Sequence, residues 1–109
     1  MRVLHISGAQ VWGGNEQQLI YLIDELPRFN IRQVLFCFKD TPLHREATAH
    51  PVKICSIDRV KPFSAAYFKA LRRIIKEEEI DLIHLHTSDS VTGYVITDII
   101  KPLNTPTVF

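Results

Sequence analysis

Short apolar runs separated by stretches of helical periodicity leave this chain few folds. Residues 2–7, with Val3, Leu4 and Ile6, form an apolar run that ends at Gly8 and reads as a buried strand. Gly13-Gly14-Asn15 marks a turn and a helix start, with Asn15 as a candidate cap. Leu19, Leu22, Ile23 and Leu26 then recur at helical spacing, and Pro27 closes the helix. Residues 31–38 are β-branched and aromatic and read as a second strand. Residues 39–51 hold two prolines and read as a loop, with a short helical turn at 44–49. Residues 52–57 are a third strand.

Ser64 caps the next helix. Its apolar stripe is Tyr67, Leu71, Ile74 and Ile75, and its wet face is Lys69, Arg72, Arg73 and Lys76. Glu77-Glu78-Glu79 sits against the negative end of that helix dipole and reads as solvated surface. Residues 81–86 are a fourth strand. Ser88-Asp89-Ser90 caps a helix running to about Lys101, and Thr107-Val108-Phe109 opens a fifth strand. The pattern β-α-β-β-α-β-α-β requires parallel pairing with right-handed crossovers. The expected fold is α/β, a Rossmann-like, doubly wound parallel sheet. Ligands in such sheets bind beyond the carboxyl ends of the strands, where strand order reverses. That point falls between strands one and four, which sets residues 8–14 beside residues 86–89.

Composition narrows the function classes. With 46% hydrophobic residues and a formal net charge of +1, the chain is neither a disordered tail nor a polyanion binder, so no nucleic-acid partner is expected. No apolar run is long enough to span a bilayer, and the first residues are too polar for a signal peptide. Cys37 and Cys55 lie in apolar runs and form no C-x-x-C pair, so they read as buried, reduced thiols of a cytoplasmic protein. The 109 residues suffice for one modest core and not for a second substrate domain.

Three segments carry chemistry. Residues 7–16 combine glycines with a helix start, where free N–H groups favour an anion. This is neither G-x-G-x-x-G nor a Walker loop, and no acidic residue ends strand two to hold a ribose. A dinucleotide is disfavoured, and no cofactor is expected. Glu16 either favours the helix dipole or faces a ligand hydroxyl. His84 and His86 are two apart on a strand and share a face that His5 can approach. No carboxylate stands at ligand spacing beside them, so no metal is expected. His84 reads as a packed, hydrogen-bonded histidine, and His86 as the better placed to reach a ligand. The basic stretch from Arg59 to Lys76 offers a face to an anionic membrane or to solvent.

The ordered set of motifs resembles the N-terminal domain of GT-B glycosyltransferases, in particular the retaining family 4. The matching pieces are Gly13-Gly14-Asn15-Glu16 with Leu19 and Leu22 behind it, Asp81-Leu82-Ile83-His84-Leu85-His86, and Pro106-Thr107-Val108. The family's Gly-His-Glu-Val before strand two is replaced by Phe29-Asn30-Ile31-Arg32-Gln33-Val34. The resemblance implies sugar transfer from a nucleotide-sugar donor to a glycan or lipid-linked acceptor, with retention and no obligatory metal. It places Gly13 and Gly14 by the donor diphosphate, and Asn15, Glu16, His86 and Thr87 in the acceptor-side cleft. It makes residues 1–109 an N-terminal, acceptor-side domain, incomplete at its C-terminal end and inactive alone. Catalytic residues are not assigned. The parent enzyme would be cytoplasmic, with peripheral membrane contact through the basic helix. A non-enzymatic nucleotide-binding or receiver-like module is the alternative, although Asp58 alone does not make a receiver's acidic cluster. An epimerase of the same architecture ranks below both.

Overall fold

The computed structural model describes residues 1–59, 64–86 and 105–108. Five parallel strands form one sheet: β1 (Arg2–Ser7), β2 (Arg32–Phe38), β3 (Lys53–Ile57), β4 (Leu82–His86) and β5 (Thr107–Val108). Helices α1 (Gly14–Glu25), α2 (Pro42–Ala47) and α3 (Ala65–Glu77) make the crossovers among the described residues. The spatial order is β3-β2-β1-β4-β5, so the order reverses between β1 and β4 as expected. A receiver-type sheet has the order 2-1-3-4-5, and this sheet does not.

Two layers cover the sheet, and side-chain alternation assigns each residue to one of them. Leu4, Ile6, Val34, Phe36, Phe38, Ile83 and Leu85 pack against Tyr67, Phe68, Leu71, Ile74 and Ile75 of α3. Leu35 and Cys37 face the other way, onto Leu19, Ile20 and Ile23 of α1 and Leu43 and Ala47 of α2. Cys55 packs on the α3 side. The two thiols therefore lie on opposite faces and are free. Burial raises both, Cys37 to about 11, which keeps them protonated and unreactive.

Four details differ from the sequence reading. Asn15 is not the cap of α1; Gly13 occupies that position with extended backbone (φ −155°, ψ −169°), and no side chain caps the helix. α1 closes at Glu25, before Pro27 as expected, but the path continues in a 3-10 turn, Leu26–Phe29, where Pro27 takes a position whose N–H needs no partner. The link from β2 to β3 is not a loop with a late turn. It is α2, begun two residues earlier by Thr41, whose hydroxyl accepts from the His44 N–H at 3.2 Å. The acidic end of α3 is paired as well as solvated, since Glu78 meets Lys53 and Glu79 lies 3.7 Å from Arg2. The helix expected at 88–101 lies outside the described residues.

The end of α3 fixes the start of β4. Glu79 N–H bonds Lys76 C=O and Ile80 N–H bonds Ile75 C=O, the Schellman pattern. Glu79 holds the left-handed position there, at φ 51°, where glycine is usual. Arg2 Nη1 donates to Glu78 C=O at 2.9 Å, and Arg2 N–H donates to Asp81 Oδ2 at 2.8 Å. Central strand β1 is thereby latched at its first residue to the α3–β4 turn. The exposed Arg2–Glu79 pair adds little beside the backbone strain. Glu79→Gly is expected to raise unfolding free energy by about 0.5–1 kcal/mol in urea titration, because it relieves a left-handed L-residue.

Candidate functional site

The site forms where β1 and β4 end side by side. Ser7 stands opposite His86 in the ladder, and His5 opposite His84. Parallel register puts these four side chains on the α1 face. The Asn15–Leu22 side of that helix lies across from the β4 histidines. The result is an open cleft of about 380 Å³, lined by Asn15, Gln18, Leu19 and Leu22 of α1 and by His84 and His86 of β4.

The loop from Gly8 to Gly13 leads into the helix over this cleft. Ser7 Oγ accepts the Ala9 N–H at 3.2 Å, and Gln10 is hydrogen-bonded to Arg59 beyond β3. Val11 and Trp12 are exposed. Neither Gly13 nor Gly14 has a positive φ, so the backbone does not demand glycine. Space is the relevant property. A Cβ on Gly14 would meet nothing within 4 Å, and one on Gly13 would meet only the Glu16 carboxylate, at 3.5 Å. The first helical hydrogen bond runs from Gln17 N–H to Gly13 C=O. Without a side-chain cap, the N–H groups of the first turn remain the donors of this rim.

Beneath the cleft lies a satisfied polar chain. Gln33 Nε2 donates to Ile23 C=O at 2.8 Å, which turns its Oε1 toward His5. His5 Nε2 therefore carries the proton and donates to Gln33 Oε1 at 2.9 Å. Its Nδ1 is a lone pair, 3.2 Å from His86 Nε2, and His86 is then the donor of that bond. Burial holds His5 down to about 4 against the opposing pull of Gln33. His86 is pushed down to about 3 by burial and by its two histidine neighbours. Burial lowers His84 too. At neutral pH all three imidazoles are uncharged.

Of the residues singled out in the sequence, Gly13, Gly14 and Asn15 are exposed on the rim, and Glu16 is half-buried with its carboxylate folded back toward Gly13. His86 lines the cleft. Thr87 lies outside the described residues. His84 is half-buried and lines the same cleft as His86, while the buried, hydrogen-bonded histidine is His5. Leu22, read only as part of the helix stripe, and Gln18, not singled out at all, also line the cleft, and the helical spacing 15-18-22 places them on one face with Asn15. Gln33 was not singled out either. Its only signal is a long amide inside an apolar strand.

These depressed histidines have a consequence for stability. A histidine in the unfolded chain titrates near 6.5. Below that pH the unfolded chain takes up protons that folded His5, His84 and His86 refuse. Their stabilisation is complete above pH 6.5 and is lost as pH falls below it, down to about 4 for His5 and about 3 for His86, at up to about 1.4 kcal/mol per pH unit for each of these two; half-exposed His84 acts in the same direction. His50 acts oppositely, because Asp24 at 2.7 Å and then Glu46 raise it. Its contribution is complete below pH 6.5 and is lost as pH rises through its folded value. Urea unfolding at pH 7.5, 6 and 5 should show stability falling with acid, and His86→Gln should flatten the slope. A profile flat from 7.5 to 5 would contradict the buried neutral cluster.

Comparison with known proteins gives a consistent picture. Residues 12–109 match the family model described as Glycosyltransferase Family 4. A glycosyltransferase from Rickettsia africae superposes with TM-score 0.72 at 18% identity, covering 97% of this chain and 28% of that one. Acinetobacter baumannii MurG superposes with TM-score 0.74 at 13% identity, covering 97% and 33%. Anabaena HepE, solved with UDP and glucose, superposes with TM-score 0.66 at 20% identity, covering 100% and 29%. This chain thus spans about a third or less of these structures, and at such identities they attest the GT-B fold. No curated protein sequence matches.

Proposed function

The chain belongs to Glycosyltransferase Family 4, and from that premise we propose that it is the N-terminal, acceptor-side domain of a retaining glycosyltransferase. In this reading the enzyme moves a sugar from a nucleotide-sugar donor to a glycan or lipid-linked acceptor. The observation that carries the reading is the uncapped first turn of α1, with open space at Gly14, poised over the β1–β4 cleft. Such a turn presents N–H groups and a positive dipole end to the donor diphosphate at Gly13 and Gly14. Charge growing on the leaving group would be stabilised there without a metal. Asn15, Glu16, His86 and Thr87 then face the acceptor. Anabaena HepE was solved with UDP-glucose, which makes UDP sugars the first donors to try.

Among the described residues no helix is long and apolar enough to cross a membrane. The exposed face of α3, with Lys69, Arg72, Arg73 and Lys76, is the side we assign to an anionic cytoplasmic membrane surface carrying a lipid-linked acceptor. Arg72→Glu/Arg73→Glu should then sediment less with anionic vesicles than the parent does; equal sedimentation would remove the membrane contact.

Gly14→Ala separates folding from donor binding. Its helical backbone and empty surroundings predict a gain of about 0.4–1 kcal/mol in stability. The same methyl displaces a diphosphate seated on that turn, and kcat/KM for the nucleotide sugar in the parent enzyme should fall about 10²-fold. Unchanged kcat/KM would remove the donor from this turn. The 109-residue chain alone should transfer no sugar in the same assay; transfer by it would overturn the acceptor-side assignment.

A further inference from the structure

Three imidazoles that share one small volume can do more than fill a core. The ligand-capable nitrogens of His5, His84 and His86 all lie within 4.8 Å of one another. His5 Nδ1 and His86 Nε2 are already 3.2 Å apart. Three nitrogens held at about 2.0–2.1 Å around a tetrahedral ion stand about 3.3 Å from each other. The triangle therefore needs only small side-chain rotations, which the half-buried His84 and His86 can make.

We propose that His5, His84 and His86 form a binding site for a borderline divalent transition-metal ion, with Zn²⁺ as its representative. Four features fit. The donors are all imidazole nitrogens, which suit Zn²⁺, Co²⁺ or Ni²⁺ and not Mg²⁺ or Ca²⁺. His5 is oriented as metal-ligating histidines are, with its far N–H donated to a fixed acceptor, here Gln33 Oε1, which Ile23 C=O orients in turn. That arrangement leaves the His5 Nδ1 lone pair directed at His86 Nε2, inside the cluster. The three groups are neutral at pH 7, so no proton need be driven off.

The fourth position faces the cleft between Asn15, Gln18 and the two β4 histidines, open to water or to an anion. On binding, the proton that His86 shares with His5 moves to His86 Nδ1, and no net proton is released. The sequence reading disfavours a metal for want of a nearby carboxylate. Three-histidine sites need none, because water supplies the remaining ligand. The inference stands apart from sugar transfer, whose proposed chemistry uses no metal.

Calorimetry with Zn²⁺ on the metal-free protein should give saturable one-to-one binding that excess Mg²⁺ does not displace. Co²⁺ should give tetrahedral d–d absorption without the charge-transfer band of a thiolate. His84→Gln and His86→Gln should each raise Kd at least about tenfold, and Gln33→Ala about 10–100-fold. His50→Gln, on a separate carboxylate cluster, should leave Kd unchanged. Should the histidine variants fail to fold, imidazole nitrogen NMR of the parent decides the matter. Zn²⁺ must shift His5, His84 and His86 together. Absence of one-to-one binding, a thiolate band, affinity indifferent to His84 and His86, or a silent His5 would each overturn the site.

Discussion

Pairing of β1 with β4 is the constraint on which everything else in this molecule rests. β1 is made first, continues into α1 and β2 on one side, and leaves its other edge open until β4 arrives. Right-handed crossovers then force α1 and α2 to one face and α3 to the other. Reversal at β1–β4 also splays the helices apart at the carboxyl ends of these strands, so the cleft is a product of topology and not of any special residue. The register within this pair settles which side chains meet there. Slipping it by one residue would turn His84 and His86 onto the apolar α3 face and Ile83 and Leu85 into the cleft.

The two faces solve different problems. The α3 face is apolar throughout, with Phe36, Phe38, Tyr67 and Phe68 in edge-on and tilted contacts. The α1 face is mixed: Leu35 and Cys37 are apolar, while His5, Ser7 and Gln33 are buried and polar. Burying such groups unpaired costs about 1–3 kcal/mol each. No buried side-chain nitrogen or oxygen among the described residues lacks a partner. The bond from Gln33 to Ile23 C=O lets a helix backbone set the orientation of an amide, that amide set the tautomer of His5, and His5 set the proton on His86. The backbone of α1 thereby fixes the proton positions in the cleft wall.

Much of this fold was legible because buried parallel strands are short and rich in apolar residues, as residues 2–7, 31–38 and 81–86 are despite the polar side chains they carry on the α1 face. The α3 stripe was legible because a single amphipathic face repeats over three turns. Six-residue α2 was not, since it spans under two turns and periodicity needs more; Thr41 followed by Pro42 was its only mark. The cap of α1 was misplaced because asparagine is the better capping residue, yet the chain puts Gly13 there and leaves the turn uncapped. The approach of His5 to His84 and His86 followed from strand order. The Gln33 link did not, because it depends on where the side chain of β2 meets the backbone of α1, a tertiary fact without a sequence period.

Electrostatics divides the site into unlike halves. The histidine wall is neutral, held so by burial, and supplies lone pairs and N–H groups but no positive charge. No lysine or arginine lines the cleft among the described residues. Any anion held on this side must therefore rely on the first turn of α1, whose dipole acts only within about one turn. Glu16 lies in that same turn and competes for it. The Glu16 carboxylate folds back toward Gly13, at the positive end of the dipole that an anion would use.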